Sequence, residues 1–93
     1  MKHFKFSIEE LDDVGESFSL DKDNLIEVFE EAAKLFFYTK EGFREAWPLT
    51  FFLYTDTHEL ISSAKIFVLA ALPRFDVIPY YLNSDCKFSN FYY

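Results

Sequence analysis

The chain has 93 residues, 51% apolar and 22% aromatic, with 13 Phe, 6 Tyr and 1 Trp, and a formal charge of −7. That length holds one hydrophobic core and so one domain over residues 1–93, and the aromatic content excludes a disordered chain, which is poor in such residues. With no unbroken apolar run of about 18 residues, no membrane-spanning helix is expected.

The opening stretch Met1-Lys2-His3-Phe4-Lys5 reaches Glu9 and Glu10 before any apolar segment forms, so no signal peptide is expected. The single cysteine, Cys86, has no internal disulfide partner, which fits a reducing, cytoplasmic setting.

Residues 2–8 alternate, with Phe4, Phe6 and Ile8 on one side and His3, Lys5 and Ser7 on the other, the pattern of a half-buried strand. Residues 9–20 read as a connection with one short helical turn. Leu11, Val14 and Phe18 recur near helical spacing there, but Gly15 interrupts them.

Residues 21–40 predict a long amphipathic helix. Asp21 is placed to cap its N-terminus, and Leu20 and Leu25 are spaced as a hydrophobic staple. At about 100° per residue, Leu25, Val28, Phe29, Ala32, Leu35 and Phe36 share one face, and Ile26, Ala33 and Phe37 widen it. Glu27, Glu30, Glu31, Lys34 and Tyr38 fall opposite, with Glu30 and Lys34 spaced for an ion pair. Gly42 is the expected stop.

Residues 47–55 are β-favouring, with Leu49, Phe51 and Leu53 on one face and Thr50, Phe52 and Tyr54 on the other. Pro48 fits only at the start of a strand or on an edge. A polar turn over residues 56–59 and a second β pattern over residues 60–72 predict a hairpin. Beyond Pro73, Phe75 and Val77 alternate with Arg74, Asp76 and Ile78 until Pro79, as a bent or bulged continuation or a separate short edge strand. The segment 83–93 ends in Phe91-Tyr92-Tyr93, which predicts docking of the tail rather than fraying. The expected fold is therefore α+β: a small antiparallel sheet of three to four strands with one long amphipathic helix packed on one face.

No catalytic residues, metal site or cofactor are expected. His3, His58 and Cys86 are too few and too scattered for a zinc centre, and Glu9, Glu10, Asp12 and Asp13 lack the spacing of a calcium loop. No serine lies in a nucleophile elbow. The two glycines, Gly15 and Gly42, cannot build a phosphate-cradling loop. An enzyme is not expected.

Two features remain. Residues 1–31 hold ten acids and three bases, a net −7, whereas residues 32–93 hold six of each. Direct binding to nucleic acid or to an anionic membrane is disfavoured by that sign, and a protein with a basic surface is the expected partner. Glu9, Glu10, Asp12, Asp13, Glu16, Glu27, Glu30 and Glu31 are the candidate acidic patch, weighed against simple solubilisation of a Phe-rich chain.

The second feature is the aromatic surplus. One helix covers one face of a sheet, so Phe52, Tyr54, Phe88, Phe91, Tyr92 and Tyr93 are candidate interface residues, either for an outside partner or for a homodimer.

In size, acidity and lack of catalytic motifs the chain resembles, as a class, the small inhibitors encoded by phages and mobile elements, including DNA mimics and anti-CRISPR proteins. The resemblance implies a non-enzymatic inhibitor that blocks a basic, nucleic-acid-binding site. The alternative is a structural or assembly protein that self-associates through its aromatic sheet face and tail.

Overall fold

A computed structural model describes residues 2–11, 16–69 and 74–85. Among these residues lie five strands and one α-helix: β1 (Lys2–Ile8), β2 (Glu16–Leu20), α1 (Leu25–Thr39), β3 (Leu49–Thr55), β4 (Leu60–Val68) and β5 (Phe75–Leu82), with a 3-10 turn at Glu41–Phe43. The strands form one sheet of order β2-β1-β3-β4-β5, every neighbour antiparallel. The α+β class is as expected, but the sheet has five strands rather than three to four.

The additional strand is β2, within the stretch expected to be a connection. Its residues follow a period of two, not of 3.6. Phe18 lies opposite Phe4, and Glu16 opposite Phe6, so Glu16, Phe18 and Leu20 face the core side and Ser17 and Ser19 the other. Its apolar side chains are only half-buried because β2 is an edge strand. β5 resolves the second ambiguity. It is a separate edge strand paired with β4, its register shifted between Ser63 and Ala64, with Pro79 opposite Ala64. An edge leaves room for a residue that cannot donate to a ladder on both sides.

α1 begins four residues later than Asp21. Asn24 is its N-cap, with extended backbone (φ −91, ψ 117) and Oδ1 accepting the N–H groups of Ile26 at 2.9 Å and Glu27 at 3.4 Å. Asp21 is therefore not the cap, and the Leu20–Leu25 spacing no longer matches a staple, which would join positions 23 and 28. The helix ends at Thr39, whose hydroxyl donates back to the Leu35 carbonyl at 2.6 Å. Gly42 lies beyond, inside the 3-10 turn, and stops nothing.

α1 connects β2 to β3 by crossing one face of the sheet. Leu25, Val28, Phe29, Ala32 and Phe36 point inward as expected, and Ile26 and Ala33 on the widened flank are also buried. Phe4, Phe6 and Ile8 of β1, Leu49, Phe51 and Leu53 of β3, and Ile66 of β4 meet them from the sheet. The centre is aromatic. The Phe36 ring stands perpendicular to Phe51, 6.2 Å between centroids, and Trp47 stacks on Phe51 at 5.6 Å. Phe37 and Trp47 both reach Phe75, closing the core under β5.

The β3–β4 hairpin forms without an Asn-Gly turn because Thr55 organises it. Its Oγ1 accepts the N–H groups of Thr57 and Glu59, at 3.3 and 3.1 Å. His58 takes the left-handed conformation (φ 67) that lets the chain reverse. At the far end, Asn83 Nδ2 donates to the Leu60 carbonyl at 2.9 Å and fastens the end of β5 to β4.

Candidate functional site

The helix covers one face of the sheet, and the strand registers define what the other face carries. Side chains opposite one another run in rows across the strands. Ser19 pairs with His3. Ser17, Lys5 and Tyr54 form the next row, then Ser7, Phe52, Ser63 and Tyr81, then Thr50, Lys65 and Ile78, and finally Phe67 and Asp76. The β2–β1 half is polar and basic. The β3–β5 half carries aromatic and aliphatic side chains interleaved with Thr50, Ser63, Lys65 and Asp76, of which Thr50 and Ser63 are buried. Phe52, Tyr54 and Phe67 are half-buried, and Ile78 and Tyr81 are exposed. Of the six expected interface residues, Phe52 and Tyr54 lie on this open face as anticipated; Phe88, Phe91, Tyr92 and Tyr93 lie outside the described residues.

Glu27, Glu30 and Glu31 come together on the outer side of α1, along a groove of about 480 Å³ between the helix and the start of β5. Asp76 adds a fourth carboxylate there, but Lys22, Lys34 and Arg74 line the same groove, so it is close to neutral. Lys34 pairs with Glu31 at 3.5 Å, an i, i+3 contact, where Glu30 was the expected partner. Burial pushes the Glu30 carboxyl above its ordinary range; Glu27 adds to the rise, Lys34 opposes it, and Glu31 adds a smaller push.

Glu9 and Glu10 lie by the start of β3. The Glu9 N–H donates to the Thr50 carbonyl. The Glu10 carboxylate accepts the Thr50 N–H at 2.7 Å and its hydroxyl at 2.9 Å, which engages it in holding the turn to the sheet. Glu16 is half-buried, 3.9 Å from Lys40 just past the helix C-terminus. At 1.5 Å per residue, Lys40 is about 20 Å along the helix from Glu27. Asp12 and Asp13 lie outside the described residues.

One cluster escaped the sequence reading. On the open face a concavity of about 300 Å³ is lined by Lys5, Phe6, Ser7, Ser17, Tyr54 and His58. Lys5 Nζ lies 3.0 Å from His58 Nε2, and the Ser7 hydroxyl donates to the Tyr54 hydroxyl at 3.3 Å. Beside it the Ser19 hydroxyl meets His3 Nδ1 at 2.6 Å. The alternation of residues 2–8 already placed His3, Lys5 and Ser7 on one side. Their neighbours came into view only with the pairing of β2 and the position of the β3–β4 turn.

Among the described residues no group of three or more His, Cys, Asp or Glu is placed to hold a metal ion, and no helix is long and apolar enough to cross a membrane. The chain matches no protein-family model, no curated protein and no solved structure. Among the described residues the fold is a small α+β domain, one antiparallel five-stranded sheet with one helix packed on one face.

Proposed function

We propose that this protein acts by binding another protein, with no catalysis of its own, and that the contact surface is the aromatic half of the open sheet face. One observation carries the reading: α1 packs on a single face of the five-stranded sheet, and Phe52, Tyr54, Phe67, Ile78 and Tyr81 lie on the other. Ile78 and Tyr81 are 43% and 46% exposed, on neighbouring rows of β5. Exposed apolar side chains gathered on one sheet face, here interleaved with Ser63 and Lys65, favour an interaction site, and tyrosine is enriched where binding energy concentrates.

A second reading, an inhibitor of the phage or mobile-element type that sets Glu27, Glu30 and Glu31 against a basic, nucleic-acid-binding surface, has one observation in its favour. Glu30 holds its proton more tightly because it is partly buried beside Glu27, and an approaching cation relieves that like-charge crowding.

Affinity capture with three forms of the chain separates the two. Loss of the captured partner with Ile78→Ser plus Tyr81→Ser, and its retention with Glu27→Lys, Glu30→Lys and Glu31→Lys, supports the sheet face. The reverse pattern supports the acidic groove. Sedimentation of the purified wild type identifies the case in which the partner is a second copy of the chain.

A further inference from the structure

We propose that the concavity at the polar end of the open face binds a phosphate monoester group, held by Lys5, His58, Tyr54, Ser7 and Ser17. The chain has 16 acids against 9 bases, and Lys2, Lys34, Lys40 and Arg44 each sit within 4 Å of a carboxylate. Lys5 is half-buried, and its ammonium lies 3.0 Å from an imidazole nitrogen instead. Among the described residues no carboxylate lines the concavity. A partly desolvated ammonium with no counter-charge is an unfavourable arrangement by itself, and an anion in the concavity would correct it.

The donor set fits a tetrahedral oxyanion. Lys5 and Ser7 come from β1, Ser17 from β2, Tyr54 from β3 and His58 from the β3–β4 turn. Ammonium, imidazole and three hydroxyls thus approach from four separate segments. The three oxygens of a phosphate monoester, each with several lone pairs, accept bonds from many directions at once. A planar carboxylate has two oxygens and leaves part of this set unused. The hydroxyls now bond to one another, Ser7 to Tyr54 at 3.3 Å, a long contact that a better acceptor would replace.

The overall charge of −7 opposes any anion at long range, but salt screens exposed charges beyond about 8 Å at physiological ionic strength. Asp56 and Glu59 flank His58 along the turn and are exposed. The site is a local one, distinct from the charged track that nucleic acid requires, and it does not depend on the aromatic half of the face engaging a protein.

The test is an NMR titration of the full chain with inorganic phosphate, at constant ionic strength set by sodium chloride and at fixed pH, with sodium acetate as the second arm. The expected result is a saturable shift of resonances from residues 3–7, 17–19 and 54–58, with a dissociation constant on the order of millimolar and a weaker response to acetate. Lys5→Gln should weaken phosphate binding roughly tenfold or more, the scale of one charge-assisted hydrogen bond. His58→Asn should weaken it too, and asparagine accepts the left-handed backbone at that position, so the turn is kept. Lys34→Gln, on the opposite side of the molecule, should change nothing. The proposal is overturned by the absence of a saturable response in the wild type, by equal binding of acetate, or by unchanged phosphate affinity in His58→Asn and Lys5→Gln.

Discussion

Phe36→Ala removes the ring at the centre of the core. Phe36 is fully buried and lies within 6.2 Å, between centroids, of Phe43, Trp47 and Phe51, the last two edge-on. Truncating a buried phenylalanine costs about 3–5 kcal/mol, from lost transfer energy and the cavity left behind. Edge-to-face pairs add about 0.5–1.5 kcal/mol each beyond buried area. Two such partners, and a cavity walled by large rings that cannot easily collapse, place this site in the upper half of the range, about 4–5 kcal/mol. That is a large part of the roughly 5–15 kcal/mol of a whole domain. With a urea m-value of about 1–3 kcal/mol/M, the midpoint should fall by at least about 1.3 M. Far-UV circular dichroism is the suitable probe, because Trp47 fluorescence would change with the neighbouring ring itself. Tyr38→Ala, two residues on and 58% exposed, is the control and should stay within about 0.5 kcal/mol of wild type. A loss below about 1 kcal/mol for Phe36→Ala, or equal losses for both variants, would refute the orientation of α1 on the sheet.

Three further outcomes follow from the same contacts. Asn24→Ala should cost about 1 kcal/mol in chemical denaturation through loss of the N-cap, whereas Asp21→Ala should cost less than about half of that. Glu10→Ala should cost about 1.5–3 kcal/mol at neutral pH, because both Thr50 donors lose a charged acceptor, and faster amide exchange at Thr50 would locate the effect. Glu30 holds its proton more tightly folded than unfolded, so the native state binds more protons between its unfolded and folded titrations, and stability falls as pH rises through that window. Glu30→Gln should therefore raise the melting temperature at pH 7 and have little effect at pH 4, as thermal scans at the two values would show.

What the sequence revealed depended on how sharply burial divides each element. β1, the face of α1 and the β3–β4 hairpin were legible because their apolar residues alternate cleanly between a buried and an open side. β2 was not, since Phe18 and Leu20 are half-buried at an edge and Leu11, Val14 and Phe18 also fit a helical spacing. The cap was ambiguous for another reason. Asp21 and Asn24 are both good caps, and only the extended backbone at Asn24 decides between them. Among the described aromatics, Phe4, Phe6, Phe29, Phe36, Phe51 and Phe75 are buried in the core, Phe18, Phe37 and Trp47 pack against it, and Phe52, Phe67, Tyr54 and Tyr81 lie on the face away from the helix. The acidic patch depended on residues 9–16 lying beside the outer face of the helix, a placement that local patterning does not carry. Among the described residues Glu10 holds Thr50, Glu16 sits near Lys40, and Glu27, Glu30 and Glu31 lie side by side. The Lys5–His58 pocket needed two cross-strand registers and a turn position, none of which local patterning carries.

The central claim is that the aromatic sheet face, rather than the acidic groove, makes the contact with a protein partner. The salt dependence of the wild-type chain's affinity for its captured partner tests it most directly. Apolar contacts persist or strengthen as salt rises, whereas exposed charge pairs are screened. Between 0.05 and 0.5 M sodium chloride the dissociation constant should rise by less than about twofold, or fall. A tenfold or greater loss of affinity over that range would contradict the account and move the contact to Glu27, Glu30 and Glu31.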